Sequence, residues 1–161
     1  MINAGMRAAF TEDFEDLEFG PAADQRIQLR LRWKSLADSV SAADLSDGTL
    51  RFLMLLTVLA NPQPGAFLAI DEPETGLHPR MFPIIAELAA SASEHSTVVL
   101  TTHSAEFLDA FPADCMPTTT VAECVDGETR LSKLDPDELK RWLKEYSLGR
   151  LFSAGDLEAL S

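Results

Sequence analysis

Hydrophobic and polar residues alternate strictly between residues 26 and 34, the clearest strand pattern in the chain. One face of this segment is apolar and the other is polar and mostly basic, the members being Ile27, Leu29, Leu31 and Trp33 and, opposite them, Arg26, Gln28, Arg30, Arg32 and Lys34. Because successive side chains of a strand point to opposite faces, the pattern predicts a strand with one buried side. A basic face of this kind can bind DNA, but an ordinary solvated face is the favoured interpretation, because the chain as a whole is strongly acidic.

The segment before this strand, Met1–Asp24, is acidic and carries a weaker pattern. Phe10, Phe14 and Leu17 have the i, i+4, i+7 spacing of one helix face, which predicts a short helix. Residues 1–40 are therefore expected to form an acidic N-terminal segment plus one strand.

From about residue 45 the pattern changes to helices that alternate with short apolar strands. Helical periodicity predicts helices over Thr49–Ala60, Pro79–Ser93 and Ser104–Ala110. Short apolar runs predict strands over Ala66–Ile70 and Thr97–Thr101, each buried on both faces. A strand, a crossover helix and a second strand form a βαβ unit, so these two strands should be parallel.

The last third of the chain has signals of its own. Beyond Pro112 the pattern predicts a β-hairpin that turns at Asp126–Gly127. A final helix is predicted with Asp135 as its N-cap and Pro136 at its first position.

Composition and charge narrow the class of protein. The 161 residues are 46% hydrophobic and 24% charged, as in a soluble globular domain. A net charge of −13 disfavours nucleic acids and anionic membranes as partners. The longest apolar stretch, Leu53–Ala60, is far shorter than the roughly 20 residues that cross a bilayer, and Met1–Ala9 has no signal-peptide pattern. Two cysteines, Cys115 and Cys124, make neither a metal quartet nor a disulfide framework, so a cytoplasmic protein is expected.

Three polar segments carry candidate chemistry, and the first is the turn Ser46-Asp47-Gly48 before an apolar helix. Backbone N–H groups at a helix start attract anions such as phosphate, Ser46 adds a hydroxyl, and Gly48 allows close approach of the backbone. The alternative is an ordinary serine or aspartate N-cap. Arg51, one turn along the helix, is expected to offset the charge of Asp47.

The second segment is the end of the first apolar strand, where Asp71 and Glu72 are followed by Pro73. Open α/β sheets bind ligands at the carboxyl ends of their strands. In a nucleotide hydrolase, a carboxylate there holds Mg²⁺ and the next one polarises the attacking water. The alternative is an acidic loop without a function.

The third segment, Thr101-Thr102-His103-Ser104, ends the second apolar strand. An imidazole can donate a hydrogen bond to a terminal phosphate, although a single histidine at a strand end is more often structural. Because neighbouring parallel strands end at the same edge of a sheet, His103 is expected at the edge that carries Asp71 and Glu72.

These segments, in this order, resemble an ABC-type ATPase head and, more narrowly, the AAA/ABC-type ATPases related to RecF, SMC and OLD proteins. The matching motifs are Leu45-Ser46-Asp47-Gly48, Leu68-Ala69-Ile70-Asp71-Glu72-Pro73-Glu74-Thr75-Gly76-Leu77-His78-Pro79 and Thr101-Thr102-His103-Ser104. The resemblance implies an α/β, P-loop NTPase-like partial domain over residues 41–150, with a βαβ parallel sheet, flanking helices and a small β-hairpin. Residues 151–161 would form a tail.

The resemblance also implies roles for single residues. Ser46 and Gly48 would belong to the signature motif, Asp71 would be the Walker B acid for magnesium, and Glu72 the catalytic base. Thr75 would bind nucleotide as part of the D-loop, and His103 would be the switch histidine. ATP and Mg²⁺ are the implied cofactors, and two heads would pair to complete a site.

One motif of the family does not occur in this chain. No glycine precedes a lysine, so the phosphate-binding Walker A loop, G-x-x-x-x-G-K-[ST], is missing. The chain is therefore expected to be the C-terminal half of a head, inactive when isolated and completed by a missing or separate Walker A half. The alternative is a non-catalytic interaction module that docks on an intact P-loop ATPase and regulates it.

Overall fold

The computed structural model of this chain describes residues 1–11, 13–21, 26–112, 115–135, 139 and 146–155. These residues divide into two compact units, one over Met1–Thr101 and one from Thr102 onwards. The division falls directly after the second strand of the predicted βαβ unit.

The first unit begins with one helix and a three-stranded antiparallel sheet. Helix α1 spans Ile2–Phe10, and the strands are β1 (Phe14–Pro21), β2 (Ile27–Trp33) and β3 (Val40–Ser41), in the order β1-β2-β3. The predicted strand is therefore confirmed as β2. Its apolar face is buried unevenly, because Leu31 is fully buried whereas Ile27 is 79% exposed at the open end.

The short helix predicted from Phe10, Phe14 and Leu17 is wrong. Helix α1 ends at Phe10, and Phe14 begins strand β1, in register opposite Trp33 of β2. The rings of Phe10 and Phe14 both meet Trp33 edge-on, at centroid distances of 5.2 Å and 5.8 Å. Pairing with β2 thus overrides a local spacing that fits a helix equally well.

The βαβ unit follows in the same part of the chain. Helix α2 spans Asp47–Leu59, β4 Phe67–Asp71, α3 Phe82–Ala92 and β5 Thr97–Thr101, with a single 3₁₀ turn before α3. Strands β4 and β5 are parallel, which confirms the prediction. Pro83 lies in the first turn of α3, where a missing N–H costs nothing.

The core of this unit forms between helices rather than around the parallel strands. Phe52 and Leu56 of α2 and Ile85 and Ala86 of α3 are fully buried. The prediction that β4 and β5 are buried on both faces is wrong, because every second residue of each strand is exposed. In the parallel register the exposed residues of the two strands share one face, so this face of the sheet remains uncovered. Within the described ranges no third strand pairs with either one.

The described residues of the second unit form two short helices and a hairpin. Helix α4 spans Ala105–Leu108, strands β6 and β7 span Thr120–Val125 and Glu128–Lys133, and α5 spans Leu148–Ala154. The hairpin turns at Asp126 and Gly127, both with positive φ, as predicted. Most of the helix predicted from Asp135 lies outside the described residues.

Helix α5 is an element that no sequence pattern predicted, and it packs on α4. A Cβ atom at Gly149 would lie 1.9 Å from the carbonyl oxygen of Ala105, so only glycine permits this approach. The Gly149 N–H donates a 2.6 Å hydrogen bond to the Asp109 carboxylate just after α4. No helix in the described part of the chain is long and apolar enough to cross a membrane.

Candidate functional site

Two adjacent carboxylates end strand β4, as the sequence predicted. Asp71 lies in register opposite Thr101, the last residue of β5, and the Thr101 hydroxyl donates a hydrogen bond to the Asp71 carboxylate. The backbone N–H of Glu72 donates to the carbonyl oxygen of Thr101 at 3.1 Å. The ends of the two parallel strands are therefore tied together where open sheets bind ligands.

Glu72 has an unusual backbone conformation. Its φ of +43° lies in the left-handed region, which costs a non-glycine residue about 1–3 kcal/mol. Two hydrogen bonds from Thr75 hold the turn: the backbone N–H donates to the Glu72 carbonyl at 3.1 Å, and the hydroxyl donates to the Glu72 carboxylate at 3.0 Å. This conformation turns the chain after the strand. Together with the two bonds from Thr75, it sets the direction in which the Glu72 side chain leaves the backbone.

The turn before α2 caps that helix, as the structural alternative predicted. The Ser46 side chain accepts a hydrogen bond from the Thr49 N–H at 3.2 Å, and the two hydroxyl oxygens lie 2.9 Å apart. Ser46 is exposed. Its capping role satisfies one backbone donor and leaves the residue open to a ligand at the helix start.

Gly48 brings this turn against the predicted D-loop. A Cβ atom at Gly48 would lie 2.5 Å from the carbonyl oxygen of Gly76, closer than real Cβ contacts allow. Gly76 itself has a φ of +74°, a conformation that favours glycine. Gly76 belongs to the segment Thr75-Gly76-Leu77-His78 that is predicted to be the D-loop. Gly48 and Gly76, 28 residues apart in the sequence, are therefore in close backbone contact.

Arg51 connects the same two segments. Its Nη2 atom donates to the carbonyl oxygens of Glu72 at 2.7 Å and Asp71 at 3.2 Å. Its guanidinium group therefore binds the backbone at the end of β4, a contact that the sequence did not predict.

The remaining predicted site residue, His103, belongs to the second unit and is exposed. The residue after it, Ser104, caps α4 by accepting a hydrogen bond from the Phe107 N–H at 3.1 Å, and its own N–H donates to the Thr102 hydroxyl. The structure thus brings together five of the six predicted site residues within the first unit, namely Ser46, Gly48, Asp71, Glu72 and Thr75.

Two residues at this edge were not recognised as site residues from the sequence. Thr101 could have been found, because aligning the ends of two parallel strands places it beside Asp71. The contact from Arg51 to the β4 carbonyl groups had no sequence signal, since a hydrogen bond to a backbone oxygen requires no particular residue type there.

Other side chains that could bind DNA or a metal ion make contacts within the chain. The Arg32 guanidinium forms a 3.0 Å ion pair with Glu18, and Arg30 donates to the hydroxyl of Ser39. These contacts support an ordinary solvated face over a DNA-binding one. His78 accepts a hydrogen bond from the Arg80 N–H, and the described residues include no group of three or more side chains suited to a metal ion.

Residues 2–109 match a protein family described as "AAA domain, putative AbiEii toxin, Type IV TA system". The chain belongs to this family. No curated protein matches the chain.

Three solved structures are similar to this chain. One comes from work on ATP-driven dimerization and DNA-stimulated activation of SMC ATPases, with 16% identity, a TM-score of 0.63, and coverage of 89% of this chain and 87% of that chain. Another is the Smc head domain of Pyrococcus furiosus, with an extended coiled coil and bound to the C-terminal domain of ScpA, with 15% identity, a TM-score of 0.66, and coverage of 89% and 37%. The SMC head domain of Thermotoga maritima has 17% identity, a TM-score of 0.54, and coverage of 83% and 46%.

The family match and these structures confirm the predicted resemblance and fold class. The chain has the mixed α/β fold of an SMC-type ATPase head, with a parallel sheet and flanking helices. It spans 87% of the first similar chain but less than half of the other two.

Proposed function

We propose that this chain is part of an ATP-binding and ATP-hydrolysing ABC-type head. It supplies the signature, Walker B and switch-histidine elements to a composite ATP site. The observation that carries the proposal is the contact between the first two turns of α2 and the segment from Asp71 to Gly76, through Gly48 and Arg51. Phosphoryl transfer to water needs phosphate-facing donors and a carboxylate pair, and here both lie in one unit.

The residues present fit Mg²⁺ and ATP in part. Mg²⁺ takes one or two carboxylates together with phosphate oxygens and water, and the exposed Asp71 at a strand end offers one such carboxylate. Bound Mg²⁺ would neutralise phosphate charge. Ser46 and Gly48 would face phosphate, Thr75 would bind at the D-loop, and Glu72 would accept the proton of the attacking water. His103 would donate a hydrogen bond to the terminal phosphate.

The missing phosphate-binding loop defines the partner that the proposal requires. Without that loop and its lysine, the chain lacks most of the groups that hold β- and γ-phosphates. Phe67 and Val99, which are 60% and 43% exposed, mark the uncovered face of the β4–β5 sheet. Parallel sheets are covered on both faces in complete α/β domains, so this face suits a segment that carries the Walker A loop. The proposal also includes the pairing of two such heads, which completes the ATP site.

The alternative is a non-catalytic module that docks on an intact P-loop ATPase and regulates it. The absence of the Walker A motif favours it. The two functions differ in one respect that can be measured: only the ATPase head requires the carboxylate of Glu72.

The experiment begins with the DNA upstream of the Met1 codon, which is searched for a sequence encoding G-x-x-x-x-G-K-[ST]. The segment found is produced together with this chain, and ATP turnover is measured with and without Mg²⁺. We expect Glu72→Gln to reduce kcat by about 10²–10⁴-fold while ATP-dependent pairing persists, because the variant removes a general base and leaves the backbone unchanged. The isolated chain should show no ATP binding in calorimetry.

Glu87→Gln is the matched control, since Glu87 is an exposed glutamate on α3 away from the carboxylate pair. It should leave turnover unchanged. Equal turnover in Glu72→Gln and Glu87→Gln would refute the catalytic assignment and favour the regulatory module. Tight ATP binding by the isolated chain would refute the composite site.

A further inference from the structure

Arg51 connects helix α2, which precedes the βαβ unit, to the turn at Glu72 that follows β4. It lies in the second turn of α2, and its Nη2 atom donates to two successive carbonyl groups, those of Asp71 and Glu72. We propose that Arg51 is a positioning residue that makes the placement of the Glu72 carboxylate depend on the position of α2. The catalytic side of this inference rests on the proposed ATPase function.

The backbone of Glu72 is held from both sides. Its N–H donates to Thr101 of β5, and its carbonyl oxygen accepts hydrogen bonds from both Arg51 and the Thr75 N–H. A left-handed φ in a glutamate persists only where surrounding contacts enforce it. Of these contacts, the bond from Arg51 alone carries a charge, and charge-assisted hydrogen bonds are the stronger kind.

The Arg51 guanidinium group is positioned by its bonds to the two carbonyl oxygens, at the cost of hydration of one of its own donors. The Arg51 Nε atom is buried without a hydrogen-bond partner among the residues that the structure describes. A buried unpaired donor is unfavourable, so the two bonds from Nη2 outweigh that loss in fixing the side chain.

A second contact joins the same two segments. The backbone of Gly48, one turn before Arg51, lies directly against the carbonyl group of Gly76. Helix α2 therefore contacts the segment after β4 at two points, at Glu72 where that segment begins and at Gly76 further along it. A shift of α2 caused by a ligand at Ser46–Gly48 would be passed to Glu72 through Arg51.

The test uses hydrogen exchange of the Glu72 and Thr75 amides, measured by NMR on the full chain without nucleotide. Arg51→Met removes every side-chain donor, Arg51→Gln replaces the charged guanidinium group with a shorter neutral amide, and Arg51→Lys keeps a charged donor. Arg7→Gln is the matched control, because the Arg7 Nη2 atom donates to a backbone carbonyl at Glu15.

We expect Arg51→Met and Arg51→Gln to speed exchange at these two amides by roughly tenfold or more, with partial rescue in Arg51→Lys and no change in Arg7→Gln. Unchanged exchange in folded Arg51→Met would overturn the inference. Loss of the α2–α3 fold in both variants would also overturn it, because Arg51 would then be a general structural residue.

An activity measurement on the complex with the Walker A segment separates this inference from the proposed function. Arg51→Gln should lower kcat with little change in KM, and Arg51→Lys should restore part of it. If the wild-type complex shows no turnover, the proposed function fails while the exchange measurement still decides the positioning role. If turnover falls in Arg51→Gln but the two amides are unaffected, the positioning role is refuted and the ATPase function stands.

Discussion

Gly48→Ala is the substitution whose effect follows most directly from the geometry. The added Cβ would lie 2.5 Å from the Gly76 carbonyl oxygen, whereas ordinary contact begins at 3.4 Å, so the two segments must separate by about 0.9 Å. The opposing atom belongs to the backbone and cannot rotate away. Overpacking of this kind costs about 1–3 kcal/mol, and alanine regains at most about 1 kcal/mol in helix propensity. The expected net loss is about 1 kcal/mol.

The assay follows thermal unfolding of the first unit through Trp33, whose ring packs against Phe10. A Trp142→Phe background leaves Trp33 as the sole tryptophan. For a unit of this size, a loss of about 1 kcal/mol corresponds to a fall in Tm of about 4–8 °C.

Gly20→Ala in the same background is the control. Nothing lies within 4 Å of a Cβ at Gly20, so this variant tests the effect of alanine on the unfolded chain alone. It should leave the Tm unchanged or raise it slightly. If Gly48→Ala were as stable as Gly20→Ala, the close contact of Gly48 with the Gly76 carbonyl group would be refuted.

Three further substitutions test other parts of the structure. Gly149→Ala should disrupt the packing of α5 on α4, because its Cβ would lie 1.9 Å from a backbone carbonyl oxygen. Backbone amide chemical shifts in both helices that match those of the wild type would contradict this. Ser46→Ala should cost about 1 kcal/mol in urea unfolding through loss of the N-cap, and an unchanged midpoint would refute the capping bond. A hydrogen bond from Ser39 and the Arg32 guanidinium lower the pKa of Glu18. A carboxyl group with a lowered pKa stabilises the fold at pH values above its pKa in the unfolded chain, and this stabilisation is lost as the pH falls. The stability difference between wild type and Glu18→Gln should therefore shrink in acid. A difference that stayed constant with pH would contradict it.

The βαβ unit and the hairpin could be predicted because their signals are local. The parallel strands are short apolar runs with a helix between them, and the tight turn at Asp126–Gly127 needs residues that tolerate positive φ. The edge carrying Asp71 and Glu72 followed from the rule that parallel strands end together. None of these inferences required knowledge of long-range packing.

The elements that were mispredicted depend on distant partners. Phe14 fits a helix face by spacing, and only its pairing with Trp33 makes it a strand residue. Phe67 and Val99 were predicted to be buried, because an apolar run indicates a sheet covered on both sides, but both are exposed. The role of Arg51 was missed for a related reason, since its acceptors are backbone oxygens.

In the proposed site, Glu72 is the base and Arg51 holds its backbone, and this difference in role gives a last prediction. Glu72→Gln removes the proton acceptor while the backbone bonds to Glu72 remain possible. Arg51→Gln keeps the carboxylate but removes a bond that holds it in place. If Arg51 only positions the base, its substitution should matter only while the carboxylate is present: in the complex with the Walker A segment, Arg51→Gln should lower kcat in the wild-type background and change it little in a Glu72→Gln background. An equal fall of kcat in both backgrounds would show that Arg51 acts independently of the Glu72 carboxylate, and not by positioning it.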